Sequence, residues 1–423
     1  MKLGKMYLRG DGVLEDFSEA EKWYRMAAEQ GVPAAQFDMG LMYQSGIGVP
    51  KNISEAANWH RKAAEQGLIE AQVLLGDMYS SGIGVSKNEQ QALEWYLMAS
   101  EQESSEAQFK LGLIYKIGIG VDVNYDVALT YFIGAANKGY IEAFDEWGLI
   151  HEQGRGVPKD YKLAVKAYRL GADAGDANAQ LNLGLKYLHG RGLKRSFDEA
   201  AKWIRKSAEG GNPKAQFWMG DLHRNVLEER AETVRWWHKA AAQGHTEASL
   251  RMGQYGFGFY RNKSYSSNKM DRIFWLQWAA ENGNVEARFL LGMTFENRAE
   301  EAVLRYKTRY LVTAHMWFNL SSVGGMTEGK ERRVKVAELM PREQIAHAQS
   351  IAKEWLQDPT NIPDPVFIPE EPTLSTRPDP STFVAAPLGE GRYDKIAAEG
   401  LEKVISERHA NEYREFKAEM LEN

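Results

Sequence analysis

The residues of this 423-residue chain that could do chemistry fall into three groups: a glycine pair recurring as G-x-G, nine histidines, and a run of aromatic and basic side chains near position 260. A G-x-G cradles phosphate when a strand precedes it, a helix follows and a third glycine falls in step. Here helical patterns flank it on both sides, and it recurs at Gly46–Val49, Gly82–Val85, Gly118–Val121, Gly154–Val157 and Gly190–Leu193, so it reads as a turn. The histidines show no H-E-x-x-H or comparable ligand spacing, no G-x-S-x-G is present, and the carboxylates are scattered along polar helix faces. With no cysteine, disulfides, thiolate metal sites and cysteine nucleophiles are excluded together. The expectation is a protein without catalytic residues, cofactor or metal.

What positions these residues is a repeat. Gly4, Gly40, Gly76, Gly112, Gly148, Gly184 and Gly220 stand 36 residues apart, most clearly in AQFDMGLMY (35–43) and AQVLLGDMY (71–79). Six residues after each of the second to sixth comes the G-x-G turn. Nineteen after the glycine comes an aromatic, Trp23, Trp59, Trp95, Tyr131 or Trp203, with Ala167 followed by Tyr168 as the exception, and then A-A-x-x-G. Each unit therefore reads as two antiparallel helices, A and B. Ala35, Met39 and Tyr43 fall at helical spacing in helix A, and Trp59 and Ala63 share a face of helix B. A glycine in mid-helix costs about 1 kcal/mol relative to alanine, so its recurrence points to a neighbouring helix packed too close for a side chain. One such hairpin cannot bury its apolar face alone, which makes stacking obligatory.

The intervals Gly220–Gly253 and Gly253–Gly292 are 33 and 39 residues, together two periods, so the array continues. Unit seven replaces the glycine turn with a charged run (224–235), unit eight carries an aromatic and basic insertion (255–269), and unit nine reads as having a lengthened connection at 296–310. About nine units thus fill residues 1–325. Residues 326–356 read as capping helices, with Ile345, Ala348, Ile351, Ala352 and Trp355 on one stripe behind Pro341. Residues 357–388 hold eight of the thirteen prolines and read as an extended linker. Residues 389–423 regain helical periodicity through Ile396, Leu401, Val404, Ile405, Tyr413, Phe416 and Met420, an amphipathic C-terminal helix.

The 36-residue pattern resembles the Sel-one-like repeats, a branch of the tetratricopeptide superfamily, over about three quarters of the chain. The resemblance implies an all-α, right-handed α-solenoid serving as a non-catalytic adaptor or scaffold that binds another protein, in bacterial signalling or assembly of a complex. The alternative is an envelope-associated or secreted factor binding host or cell-surface proteins, and an enzyme-regulatory subunit ranks below both. A cysteine-rich branch of these proteins staples its repeats with disulfides, and this chain departs from it.

By analogy with tetratricopeptide repeats, positions one, four and five after the helix A glycine face the groove. Position four reads Gln44, Ser80, Lys116, Glu152, Leu188 and Arg224; position five reads Ser45, Ser81, Ile117, Gln153, His189 and Asn225. These positions vary while packing positions repeat, as a partner-binding or merely solvated surface would. The candidate protein-binding residues are Lys116, Glu152, His189 and Arg224. To these the unit-eight insertion adds Tyr255, Phe257, Phe259, Tyr260 and Arg261, types enriched at interface hot spots, unless those aromatics fold inward to patch the turn. His151 and His223 occupy the slot of Tyr43 and read as packing residues.

A net charge of -6 gives no pull toward nucleic acid, and the basic run Lys330–Lys335 reads as a solvated helix face. No stretch reaches the roughly 18 apolar residues of a membrane span. Met1 aligns inside helix A of unit one. As written the chain is expected in the cytoplasm, and in the periplasm or outside the cell if the true start lies upstream. Self-association through that amino-terminal edge or through the C-terminal helix is the remaining partner expectation.

Overall fold

A computed structural model describes residues 1–227, 230–255 and 268–359 of the chain. It divides into two bodies, Met1–Arg195 and Ser196–Asn423, the division falling in the turn of unit six. Among the described residues all regular elements are helical, twenty α-helices and one π-helical turn, and the fold is an all-α solenoid.

Body one holds five A/B pairs and the A helix of a sixth. They are Lys2–Arg9 with Phe17–Glu29, Pro33–Ser45 with Ile53–Glu65, Ile69–Ser81 with Glu89–Glu101, Ser105–Ile117 with Tyr125–Asn137, Ala143–Gln153 with Tyr161–Ala174, and Ala177–His189. Their ends follow from short-range chemistry. Each B helix from unit one to unit five starts behind a side chain that takes up orphan backbone N–H groups: Asp16, Asn52, Asn88, Asn124 and Asp160. Asn52 Oδ1 accepts from Glu55 N at 3.1 Å, as Asn124 Oδ1 does from Val127 N; each such cap contributes about 1 kcal/mol. The A helices of units two to four end on Gly46, Gly82 and Gly118 at φ 77°, 74° and 84°, a conformation that favours glycine. The second glycine of the turn serves contact as well. A Cβ on Gly84 would lie 2.6 Å from the carbonyl oxygen of Ile53, where the preceding unit's B helix begins.

The mid-helix glycine has the close-packing role its recurrence suggests, but its partner is the residue twenty positions on. A Cβ on Gly76 or Gly112 would come within 2.6 Å of the rings of Tyr96 and Phe132, and Gly4, Gly40 and Gly148 face Tyr24, His60 and Tyr168. The aromatics nineteen positions on (Trp23, Trp95 and Tyr131) are half-buried beside that seam.

The glutamine of A-Q-x-x-x-G joins units. Gln36, Gln72 and Gln180 are buried and donate Nε2–H to the carbonyls of Ala28, Ala64 and Ala172 at 3.1–3.2 Å, eight residues back at the end of the preceding B helix. Gln66, just before the closing Gly67, and Gln102, just before Glu103, which takes that place at φ 68°, donate in turn to Gln36 and Gln72 Oε1 at 2.6 and 2.8 Å. Gln72→Leu removes the partner of one buried carbonyl and one amide, so a loss of about 1–2 kcal/mol is expected. A lowered urea midpoint, compared with the exposed-site variant Gln44→Leu, checks it.

Body two begins with Phe197–Glu209 and continues with Pro213–Leu222, Arg230–Ala242, Thr246–Tyr255, Asn268–Glu281, Val285–Glu301 and Leu304–Val323. Unit seven, lacking the turn glycine, runs on from helix A into a π-helical turn, His223–Leu227. Unit nine corrects the sequence expectation: residues 296–310 are not a longer connection but extra length on both helices, which run 17 and 20 residues. The segment lacks glycine and proline, and the chain reverses over Ala302, in an extended conformation at φ -81°, and Val303. Thr327–Ala337 and Arg342–Gln357 follow. Ala348, Ile351, Ala352 and Trp355 are buried, and Ile345 partly so. The Trp355 ring meets Trp317 edge-on at 5.4 Å. Within the basic run, Arg332 pairs with Glu296 at 3.2 Å and Arg333 donates to Asn319 at 2.8 Å. The linker beyond Pro359 and the expected C-terminal helix at 389–423 lie outside the described residues.

Candidate functional site

In body one the A helices meet along a polar seam built from the positions that vary among units. Asp77, one residue after its glycine, accepts a hydrogen bond from Tyr96 Oη at 2.6 Å and pairs at 2.8 Å with Lys110 of the next A helix. Lys116, at position four, pairs with Glu146 of the next A helix at 2.5 Å. Glu152, at the same position one unit on, accepts from Tyr168 Oη at 2.7 Å and is ion-paired with Lys186 of the unit after. Asn182 donates to Asp145 Oδ1 at 2.7 Å. Three of the four pairs thus carry opposite charges from one unit to the next.

Burial shapes the protonation of this seam. It raises the Asp145 carboxyl to about 7, against the lowering effect of the Asn182 hydrogen bond. Burial also pushes the hydroxyls of Tyr96 and Tyr168 upward, reinforced by Asp77 and Glu152 respectively, so both remain donors at neutral pH. His189, half-buried, is lowered to about 4 by burial, with Arg191 and Lys186 adding repulsion.

Lys116, Glu152 and His189 therefore share the A-helix seam of one body, the first two already engaged with neighbours. Arg224 belongs to the other body, in the π-helical turn, with its guanidinium 5.9 Å from the Trp237 ring centroid. Tyr255 ends the helix Thr246–Tyr255, and Phe257, Phe259, Tyr260 and Arg261 lie outside the described residues. His151 and His223 are buried, 9 % and 1 % exposed, as their packing slot requires.

Reading only positions four and five passes over position one, where Leu41 is 39 % exposed and Leu113, Leu149 and Leu185 are half-buried. This apolar row, interrupted by Asp77, runs beside mutually satisfied charges. Such an arrangement can take up apolar side chains of a bound segment while the paired charges frame it. Among the described residues no three His, Asp or Glu side chains gather to hold a metal ion, and no helix is long and apolar enough to cross a membrane.

The Sel1 repeat family model matches residues 1–32, 33–68, 69–104, 105–140, 146–176, 177–212 and 213–245, more than half of the chain. A crystal structure of a protective antigen of uropathogenic Escherichia coli, described as displaying an SLR fold, is 25% identical with a TM-score of 0.56, covering 84% of this chain and 91% of that one. A Sel1 repeat protein from Oxalobacter formigenes is 34% identical with a TM-score of 0.53, covering 57% of this chain and 99% of that one. No curated protein matches the chain.

Proposed function

Since the chain belongs to the Sel1 repeat family, a family of non-catalytic repeat scaffolds that mediate protein–protein contacts, we propose that it is a bacterial adaptor holding a segment of a partner protein along the A-helix seam, in signalling or in assembly of a complex. The observation that carries this reading is the row Leu41, Leu113, Leu149 and Leu185, only partly covered and bordered by charges that satisfy one another. A partner gains by covering the leucines without stripping water from unpaired charges. Lys116 and Glu152 act as the frame, and His189 adds a neutral ring at the unit-six end.

The seam's ion pairs separate binding from stability. Lys116→Glu alone sets like charges against each other and is expected to cost about 1 kcal/mol, because the pair is partly exposed. The swap Lys116→Glu with Glu146→Lys restores the pair, and its melting temperature should return to that of the parent. In affinity purification with mass spectrometry, Leu113→Asp and Leu149→Asp should lose a stoichiometric partner that the intact chain recovers. Unchanged recovery with both leucine variants folded rejects the seam as the binding face.

A second reading has a specific observation behind it: one of the similar solved structures is a protective antigen of a pathogen. On that reading the same face meets host or cell-surface proteins, and the protein acts at or beyond the envelope. Fractionation of cells expressing the native gene with its own upstream sequence distinguishes the two, cytoplasmic recovery favouring the adaptor.

A further inference from the structure

The edge formed by the A-to-B turns of body one carries two features that the seam does not use. The first is apolar. In units two to four the middle residue of the G-x-G is Ile47, Ile83 or Ile119. Ile47 is 37% exposed and Ile83 59%, and turn four adds Ile117 at 59% and Val123 at 51%. Each turn rests on the start of the B helix before it: a Cβ on Gly48 would strike the Phe17 carbonyl, as one on Gly84 would strike that of Ile53. Successive turns therefore stand side by side, and their uncovered aliphatics share one edge.

The second feature is basic. In units five and six the middle residue is Arg155 or Arg191. Arg155 donates to Tyr125 Oη at 3.1 Å and lies 5.6 Å from that ring's centroid. Lys159 and Arg191 approach the Tyr161 ring at 4.9 and 5.9 Å from two successive turns. Lys194 is exposed in turn six. These four cations pair with no carboxylate among the described residues, whereas Lys110, Lys116 and Lys186 of the seam are each ion-paired. Asp160, the acid in turn five, is occupied in capping the B helix through Lys162 N and Leu163 N. Lys162 and Lys166, both exposed, carry the excess onto that helix, so residues 154–169 hold five basic side chains and one acidic.

An acidic peptide would satisfy the cations and leave the isoleucines in water, and an apolar segment would do the reverse. An anionic bilayer takes both at once, because aliphatic side chains enter among its headgroups while lysine and arginine stay against them. Stable attachment to a membrane needs two such signals, and this edge supplies an apolar and a basic one. Tyr125 and Tyr161, half-buried between the cations, have the ring and hydroxyl that the headgroup layer accommodates together. Four unit-to-unit steps of about 10 Å spread the two features over about 40 Å, and a bilayer is continuous over that length.

We propose that the turn edge of units two to six is a docking surface for an anionic lipid bilayer. Ile47, Ile83 and Ile117 enter the headgroup layer, and Arg155, Lys159, Arg191 and Lys194 lie against its anionic headgroups. None of these residues except Lys159 and Arg191, which share the Tyr161 ring, depends on another for its place, and none belongs to the leucine row proposed for a protein partner. The two surfaces therefore stand or fall separately.

Sedimentation of the full-length protein with vesicles provides the test. At low salt it is expected to bind phosphatidylcholine vesicles containing about 30% phosphatidylglycerol, to bind pure phosphatidylcholine at least about tenfold less, and to be released by about 0.5 M salt. The triple variant Arg155→Gln, Lys159→Gln, Arg191→Gln should bind the anionic vesicles at least about tenfold more weakly than the parent. A second triple variant, Lys307→Gln, Lys330→Gln, Lys335→Gln, changes the net charge equally at exposed positions of body two and should bind as the parent does. Because the chain has no cysteine, Ile83→Cys can carry a polarity-sensitive fluorophore in the otherwise intact protein. Its emission should shift to the blue on adding anionic vesicles, while the same label at Glu65→Cys, exposed at the end of a B helix, should not respond. Equal binding to the two kinds of vesicle, equal weakening by the two triple variants, or a silent label at position 83 overturns the proposal. So does capture of polyglutamate in place of anionic vesicles, which would assign the edge to an acidic protein.

Discussion

Replacing His60 with phenylalanine is expected to remove about 3 kcal/mol of acid sensitivity, the largest single effect foreseen for this protein. His60 takes the slot opposite Gly40 that Tyr24, Tyr96, Phe132 and Tyr168 fill in other units. Its side chain is fully buried, neither ring nitrogen has a hydrogen-bond partner, and its nearest ring neighbour is Phe37 at 5.1 Å. Burial alone lowers it to about 4 from an ordinary value of 6.5. The folded state thus holds the neutral ring while the unfolded chain takes up a proton. Stability is complete above pH 6.5, falls as pH drops toward 4, and levels off below. His189, His223 and His315 are likewise lowered to about 4 by burial, and His151, His238 and His245 are lowered too, so the slope is shared. Two buried carboxyls work against it. Asp145, raised to about 7, and Asp221, raised to about 6, cost stability when charged, a cost that disappears as pH falls. Urea midpoints at pH 7.5 and 4.5 should therefore lie closer together in His60→Phe than in the parent, whereas Asp145→Asn should gain stability at pH 8 and little at pH 4. A His60→Phe variant with the parent's pH slope refutes the assignment.

Gly112→Ala should destabilise by about 2 kcal/mol although alanine is the better helix former. The added methyl would stand 2.6 Å from the Phe132 ring, which is fully buried and held by Phe109 at 5.7 Å. Propensity favours the change by about 1 kcal/mol, so the overlap must outweigh it by roughly threefold. The ring is packed in one buried cluster with Ala128, Leu129, Ala135, Ala143 and Ile150, so moving it aside disturbs that core. Trimming the ring isolates the cause: Gly112→Ala combined with Phe132→Leu should cost less than the two single changes added together. Additive costs would mean that the glycine is there for some other reason.

Much of the array was legible because 36-residue periodicity repeats the same local decisions. The αL glycines and the obligatory stacking of hairpins follow from residue type alone. Unit nine differs from expectation because a missing glycine looks the same whether the loop lengthens or the helices do, and only packing settles which. The recurrent Asp16, Asn52, Asn88, Asn124 and Asp160 mark the B-helix starts in the sequence as well, since each has the side chain of a helix N-cap.

The candidate site divides along the same line. The variable positions could be listed from sequence, but variation does not distinguish a charge open to a partner from one tied to the next unit. Lys116 and Glu152 proved to be bound to Glu146 and Lys186, partners 30 and 34 residues away. By itself the sequence determined a stack of helical hairpins, where each one turns, and that they must associate, since those choices rest on backbone freedom and periodic burial within a few residues. Tertiary structure alone decided which aromatic seats on each glycine, which charges neutralise one another, and which leucines and isoleucines are left uncovered, because each of these depends on distances between side chains a full repeat apart.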